Sequence, residues 1–467
     1  MKLSRFLLTL LVLAVLLAAV MGGISVIQGR MNTIRREAEL TDTTPLENAP
    51  PLVAFTTVAL GGFRGLLADW LWLRSNRLQE QGSYFEMVQL ASWIVKLQPR
   101  FTGAAAFLAW NMSYNVSVTF TNFEDRWRWV KSGIELLRDE ALVYNPGDPE
   151  LYRELGWIYQ HKVGQDLDDA NRYYKAQLAR EMMTVLGGYP PDWEALAASP
   201  LTVAGLRERL GPDAPFWQVL AELGISFDEL ERRFRQEGEV PQEWAETIRE
   251  VPGAETVERS LRHRWLQQDL KLDPALIADL NEQHGDLDWR LPEAHAIYWA
   301  TKGLQAADDE LSISCERMIF QALNNAFKAG RALTVEGVER LELAPNISLV
   351  DAVTQRYREA METFEDNQSV RASYENFLVD AIVILYTFGQ RDQARSYLKE
   401  ARETFPKSDR FERELDDFAL EELAADMALA TQERAQGTIQ AYLTQSCYWL
   451  AYGDVERAAG MESIARR

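Results

Sequence analysis

The sequence predicts an all-α protein, a stack of helix-turn-helix pairs with a helical insert, preceded by one N-terminal transmembrane helix. Three observations carry the prediction. Apolar residues recur at helical spacing in segment after segment, the segments stop at Gly, Asn-Pro or Leu-x-Pro breaks, and no charge stands between Phe6 and Gly29. The divisions that follow are an anchor over 1–29, a linker over 30–51, helix pairs over 52–188, an inserted helical subdomain over 189–288, and a second run of pairs over 289–467.

At the amino end, Lys2 and Arg5 precede an apolar run long enough to cross roughly 30 Å of hydrocarbon. A cleaved secretory signal would have a shorter apolar stretch and small residues at the cut, and Val20-Met21-Gly22 fits poorly, so an uncleaved signal anchor is the better reading. Its short basic end favours the cytoplasm, which places a single-pass chain in the inner membrane of a bacterial envelope with the body outside the cytoplasm. Arg30, Arg35 and Arg36 beyond the span weaken that asymmetry, and a reversed anchor with a cytosolic body is the competing orientation. Thr41 to Pro51 is rich in proline and polar residues and has no periodicity. Leu52 to Phe63 is apolar and uncharged but too short to span; it fits a first packed helix better than an interfacial one.

Gly61 to Pro99 gives the repeating unit. Ala68, Leu71, Ser75 and Leu78 form one stripe, Tyr84, Met87, Val88, Ala91, Ile94 and Leu97 a second, with Gln81-Gly82-Ser83 between them and Pro99 as the stop. A second, longer pair runs from Thr102 to about Phe120 and from Glu124 to Tyr144, closed by Asn145-Pro146. A third starts at Asp148-Pro149 with Tyr152, Leu155, Gly156, Tyr159, Ala170 and Tyr174. Gly187-Gly188-Tyr189-Pro190-Pro191 then breaks the series, and Asp192 to about Asp288 keeps helical patterning without the same order. The pairs resume near Glu293 with Ala296, Ile297, Ala300 and Leu304 and a partner from Ser314 to Phe327. They recur over Phe377 to Pro406 and Thr438 to Ala465.

The order of a small residue in mid-helix, a Gly-containing turn, an apolar run and a closing proline resembles the tetratricopeptide (TPR) repeat, a helix-turn-helix of about 34 residues. The third copy matches best, in its succession of Tyr152, Leu155, Gly156, Tyr159, Ala170 and Tyr174; in the first, Arg74 stands where the family prefers Leu. About six pairs exceed the three or so that a stable stack needs. The resemblance implies a solenoid of degenerate repeats whose first helices line a concave groove. It carries that groove onto Asp69, Trp72, Asn76 and Gln79 in the first copy, and onto Glu150, Arg153, Trp157 and Gln160 in the third. A solvated helix face has the same composition, and both readings stand.

Composition narrows the function. The net charge of −21 argues against nucleic acid, which needs clustered Lys and Arg. Fourteen Trp are suited both to core filling and to contact hot spots. Cys315 and Cys447 are the two cysteines, and nothing in their spacing pairs them. His284, Asp286, Asp288 and His295 have metal-capable side chains without a recognised ligand spacing, so ordinary surface polarity accounts for them and no metal or cofactor is expected. No Walker loop, dinucleotide fingerprint, nucleophile elbow or Cys-x-x-Cys is present. The expectation is a non-enzymatic scaffold of the cell envelope, held in the bilayer through residues 6–29, that binds a protein or peptide. The alternative is a glycan-acting envelope enzyme with paired acids in the 189–288 insert.

Overall fold

The computed structural model describes residues 63–307, 309–333, 341–363, 367–429, 432–451 and 455–466, with Gly453 and scattered positions between 16 and 34. Contacts divide the chain into Met1–Pro50 and Pro51–Arg467. In the first unit, residues 20–27 are helical and exposed, and the rest of the expected anchor and linker lies mostly outside the described residues. No helix among the described residues is long and apolar enough to cross a membrane. The second unit is almost wholly helical, with one two-stranded hairpin among its described residues.

Helix α1, Phe63–Glu80, and α2, Tyr84–Leu97, are joined at 81–83, where Gly82 takes φ +72°. Ala68, Leu71, Ser75 and Leu78 are buried, as are Met87, Ala91 and Ile94. Next comes α3, Thr102–Trp110, continued by a π-helical turn, Asn111–Val116. Its partner α4, Phe123–Glu135, is continued by another, Leu136–Ala141. The third pair is α5, Pro149–Trp157, with a π turn at Ile158–Val163, and α6, Asn171–Leu186. Asp148 caps α5 through the Glu150 and Leu151 amides, and Pro149 occupies the first turn, where its missing N–H costs nothing.

The segment over 192–284 folds as α7, Trp193–Ala197; α8, Val203–Leu210; α9, Pro215–Leu223; α10, Phe227–Glu237; α11, Gln242–Arg249; α12, Ala254–Gln268; and α13, Pro274–His284. Phe216, Leu220, Leu230, Phe234, Trp244 and Leu261 share a core of their own. The continuous periodicity from Phe216 to Phe234 is two helices, because Gly224 ends α9 in the left-handed region and Ser226 caps α10 at the Glu229 amide. Arg262 ties this segment to the third pair. Its guanidinium donates to the Thr184 and Val185 carbonyls at 3.2 and 2.9 Å, the open end of α6, where a positive charge suits the helix dipole.

Helix α14, Pro292–Ala306, packs against α5 and against α15, Asp309–Ala329. Every residue from 291 to 300 is buried, so α14 is covered on all sides rather than along one stripe. Glycines permit the approach. A Cβ on Gly156 would lie 2.6 Å from Met318 Sδ, and one on Gly303 2.9 Å from Cys315 Sγ and 3.3 Å from Tyr152 Cβ. Strands β1, Arg331–Leu333, and β2, Glu342–Ala344, follow as an antiparallel hairpin. Then come α16, Val350–Thr363; α17, Gln368–Thr387; α18, Arg391–Thr404; α19, Leu415–Leu429; α20, Gln432–Ala451; and α21, Val455–Arg466. Both cysteines are free thiols, Cys315 buried and Cys447 exposed.

Ordinary surface polarity does not account for the histidine cluster: His284, Asp288 and His295 are buried, and only Asp286 is exposed. Asp288 accepts from Arg290 and from the Ala332 amide at 2.8 Å, while Arg290 donates to the Ala332 carbonyl, which fastens the hairpin to the start of α14. The His295 ring bonds the Trp289 carbonyl at 3.0 Å and stacks on Tyr159 of the π turn after α5, centroids 4.9 Å apart. The structure puts these side chains to work as a junction because the surrounding apolar residues, not the cluster itself, decide its burial.

Two predictions follow from this packing. Gly133→Ala is expected to destabilise the chain by about 1–3 kcal/mol, since the new Cβ would sit 2.7 Å from the Ala109 carbonyl oxygen, a backbone atom that cannot turn aside. Gly156→Ala meets the mobile end of Met318 and gains roughly 1 kcal/mol of helix propensity, so its urea midpoint should move less. Second, burial pushes His284 and His295 down from 6.5 to about 4. The unfolded chain therefore binds more protons between those values, and stability falls as pH drops from about 6.5 towards 4, by at most ~3 kcal/mol for each ring. Urea midpoints across that window should fall less steeply in the His284→Gln, His295→Gln double variant.

Candidate functional site

The expected groove positions fall on α1 and on α5 with its π turn. Asp69 and Asn76 are exposed, Trp72 and Trp157 are half-buried, and the Gln79 side chain lies outside the described residues. Glu150 sits in the first turn of α5 and Arg153 pairs with Glu154. Gln160 occupies a covered position. It is 3% exposed and its amide donates to the Met318 carbonyl and to Gln321, both at 3.3 Å, so α15 lies over the place where an open groove would need it.

Between the two tryptophans runs a continuous aromatic row. Trp72 meets Phe107 at 5.3 Å between centroids, Phe107 meets Trp110 at 6.2 Å, and Trp110 stacks on Tyr114 at 5.7 Å. Tyr114 reaches His161 at 5.7 Å, and His161 lies flat on Trp157 at 4.5 Å. One row thus crosses α1, α3 and α5, the first helices of three successive pairs. Phe107 and Trp110 remain 44% and 36% exposed, which leaves rings both held in place and open to a partner.

The four middle members escaped the sequence reading, although a signal was there. Phe107, Trp110 and Tyr114 stand at i, i+3 and i+7, clear of the Ala104, Ala105, Leu108 and Met112 side that faces the core. That α3 buries its small residues and leaves its large rings outside is the reverse of ordinary core patterning.

At the far end of the row a pocket of about 510 Å³ is lined by Tyr114, Val118, Arg126, His161, Lys162, Leu167, Asp168 and Asp169. The Tyr114 hydroxyl and His161 Nδ1 are 3.1 Å apart. Burial lowers the His161 pKa, with a contribution from Lys162, and raises that of Tyr114. Beneath them Asp168 accepts from Lys162, from Arg126 at 3.0 Å, from the Tyr174 hydroxyl at 3.1 Å and from the Ala170 amide at 2.9 Å. Burial alone would raise this carboxyl; the Lys162 bond and the others overcome it and hold the pKa at about 2. The group is a fixed anion that locks the α5–α6 connection under the aromatic row.

A smaller pocket of about 230 Å³ lies where α6 meets the 192–284 segment, lined in part by Asp192, Glu255, Glu258, Arg259 and Arg262. Its carboxylates are engaged. Glu258 accepts from Arg262 at 2.6 Å, Glu255 pairs with Arg259 at 3.2 Å, and Asp192 caps α7 at the Ala195 amide. Among the described residues no group of three or more His, Cys, Asp and Glu is arranged to hold a metal ion.

Comparison with known proteins finds no match to a family model, to a curated protein or to a solved structure. Asp168→Ala would leave Lys162 buried without its counter-charge and is expected to cost about 3 kcal/mol. Asp169→Ala, whose side chain is 70% exposed, should stay within about 0.5 kcal/mol in the same urea titration.

Proposed function

We propose that the chain is a membrane-anchored scaffold of stacked TPR-like helix pairs that holds a segment of a partner protein along the aromatic row from Trp72 to Trp157. The row is the observation that carries the reading. It joins, through Phe107, Trp110, Tyr114 and His161, the two tryptophans that the repeat resemblance assigns to a groove. Rigid, partly exposed rings give large contact area at a small entropic cost, which is why Trp and Tyr dominate interface hot spots. Val118 and Leu167 add exposed apolar surface beside the row, and Arg126 and Lys162 lie deeper, paired with Asp168 and Asp169. The segment that fits is predominantly apolar or aromatic rather than strongly charged.

The anchor belongs to the same reading. The uncharged run from Phe6 to Gly29 supplies the span, and Val20, Met21, Ile24, Val26 and Ile27 stand exposed, a row of apolar side chains suited to lipid. The basic amino end favours an extracytoplasmic body in the inner membrane. A glycan-acting site in the 189–288 insert has less support, because the pocket at its edge is small and its carboxylates already have partners.

Photocrosslinking from position 110 in native membranes, followed by identification of the adducts, tests the binding surface. A discrete protein adduct is expected, with capture by the Trp72→Ala, Trp157→Ala double variant reduced about 30-fold or more, the equivalent of ~2 kcal/mol at a hot spot. Capture unchanged in a variant that melts like the parent would remove the row from the binding surface. A reporter fused after Arg467 should be active only outside the cytoplasm.

A further inference from the structure

The outer face of α1 carries a stripe of exposed apolar side chains. Leu66, Trp70 and Leu73 stand at i, i+4 and i+7 and are 66%, 55% and 59% exposed, on the side of the helix opposite the buried Ala68, Leu71, Ser75 and Leu78. They are also distinct from Trp72, which turns towards Phe107. The stripe continues to the exposed Arg77, and the Arg74 guanidinium, paired with Glu86 at 3.2 Å, lies 5.9 Å from the Trp70 ring. The hairpin closes at Gly82, so this part of α1 runs beside the end of α2; a Cβ on Gly65 would be 3.3 Å from the Gln98 side chain. Trp93 and Phe101, 53% and 60% exposed, belong to that same end of the hairpin.

Charge singles out the same end. Between 63 and 101 five Lys and Arg stand against three Asp and Glu, a net +2, and 102 to 123 contains none of either, in a chain whose net charge is −21. The acidic excess therefore lies wholly after residue 123, in a stretch that carries a net −24 against +3 for everything before it. An exposed helix face is ordinarily polar. That of α1 instead presents Leu and Trp flanked by Arg, the composition of a segment lying in a bilayer interface.

We infer that the outer face of α1, with Leu66, Trp70 and Leu73 as its apolar contacts and Arg74 and Arg77 beside them, rests in the headgroup region of an anionic bilayer. An anionic surface attracts this locally positive end and repels the acidic remainder, so the contact orients the body as well as holding it. The inference rests on the reading that residues 6–29 keep the chain at a membrane; it adds that the folded body itself touches lipid.

The test uses the full chain carrying Cys447→Ser, which leaves the buried Cys315 as the remaining native thiol. A fluorophore is attached through Trp70→Cys, Leu73→Cys or, for comparison, Glu403→Cys on the exposed side of α18, and the protein is reconstituted in phosphatidylcholine–phosphatidylglycerol vesicles. Nitroxide-bearing lipid should quench the labels at 70 and 73 several-fold more than the label at 403, iodide should show the reverse order, and neither result should change as protein is diluted in lipid. Protection that disappears on dilution would assign the face to a second copy of the chain and overturn the inference. A label at 70 as open to iodide as the one at 403 would do the same. Flotation of the vesicles reads the anchor separately: chain that floats while position 70 stays in water removes the lipid contact alone, and chain that does not float removes both.

Discussion

The close approach of α14 to α5 is the constraint on which the rest of the body depends. Gly156 on one helix and Gly303 on the other leave room for Met318, Cys315 and Tyr152 to fill, and neither site has space for a side chain without movement. Because α14 is buried on every side from Pro292 to Ala300, that stretch has no solvated face to fall back on and must be enclosed by its neighbours. The two helices are more than a hundred residues apart in sequence. The 192–284 segment can therefore form its own core beside the third helix pair without coming between α5 and α14, tied back by Arg262 at the open end of α6.

That enclosure has a cost to the groove and a benefit to the aromatic row. Covering Gln160 removes one expected contact position, but the same packing fixes the π turn at Ile158–Val163 from which His161 reaches Tyr114. π turns sit in three consecutive helices, at Asn111–Val116, Leu136–Ala141 and Ile158–Val163. Such turns widen a helix locally and often accompany functional positions. Two of the three bear members of the row or of the pocket at its end, so the rings are positioned by backbone geometry as well as by side-chain packing.

Much of this architecture was legible from residue spacing. The stripe of Ala68, Leu71, Ser75 and Leu78, the turn at Gly82 and the stop near Pro99 define α1 and α2 almost to the residue, because amphipathic periodicity and turn chemistry are local properties. What was not legible depends on distant parts of the chain. The π turns have no signature in Asn111–Val116 or Leu136–Ala141 taken alone. The hairpin at Arg331–Leu333 and Glu342–Ala344 is fastened by Asp288 and Arg290, more than forty residues away. His295 reads as polar surface until Tyr159 and the Trp289 carbonyl are seen against it. Of the site, the two end tryptophans could be placed by resemblance to a repeat; the rings between them required the helices to be side by side.

Helices on either side of the 192–284 segment form one cooperative body, and native-state hydrogen exchange measures that cooperativity. Amides in α5 around Leu155 and in α14 around Ala300 should open only together, with the same free energy and the same response to denaturant. Exchange of α14 through an independent opening, while α5 and the aromatic row stay protected, would contradict the account.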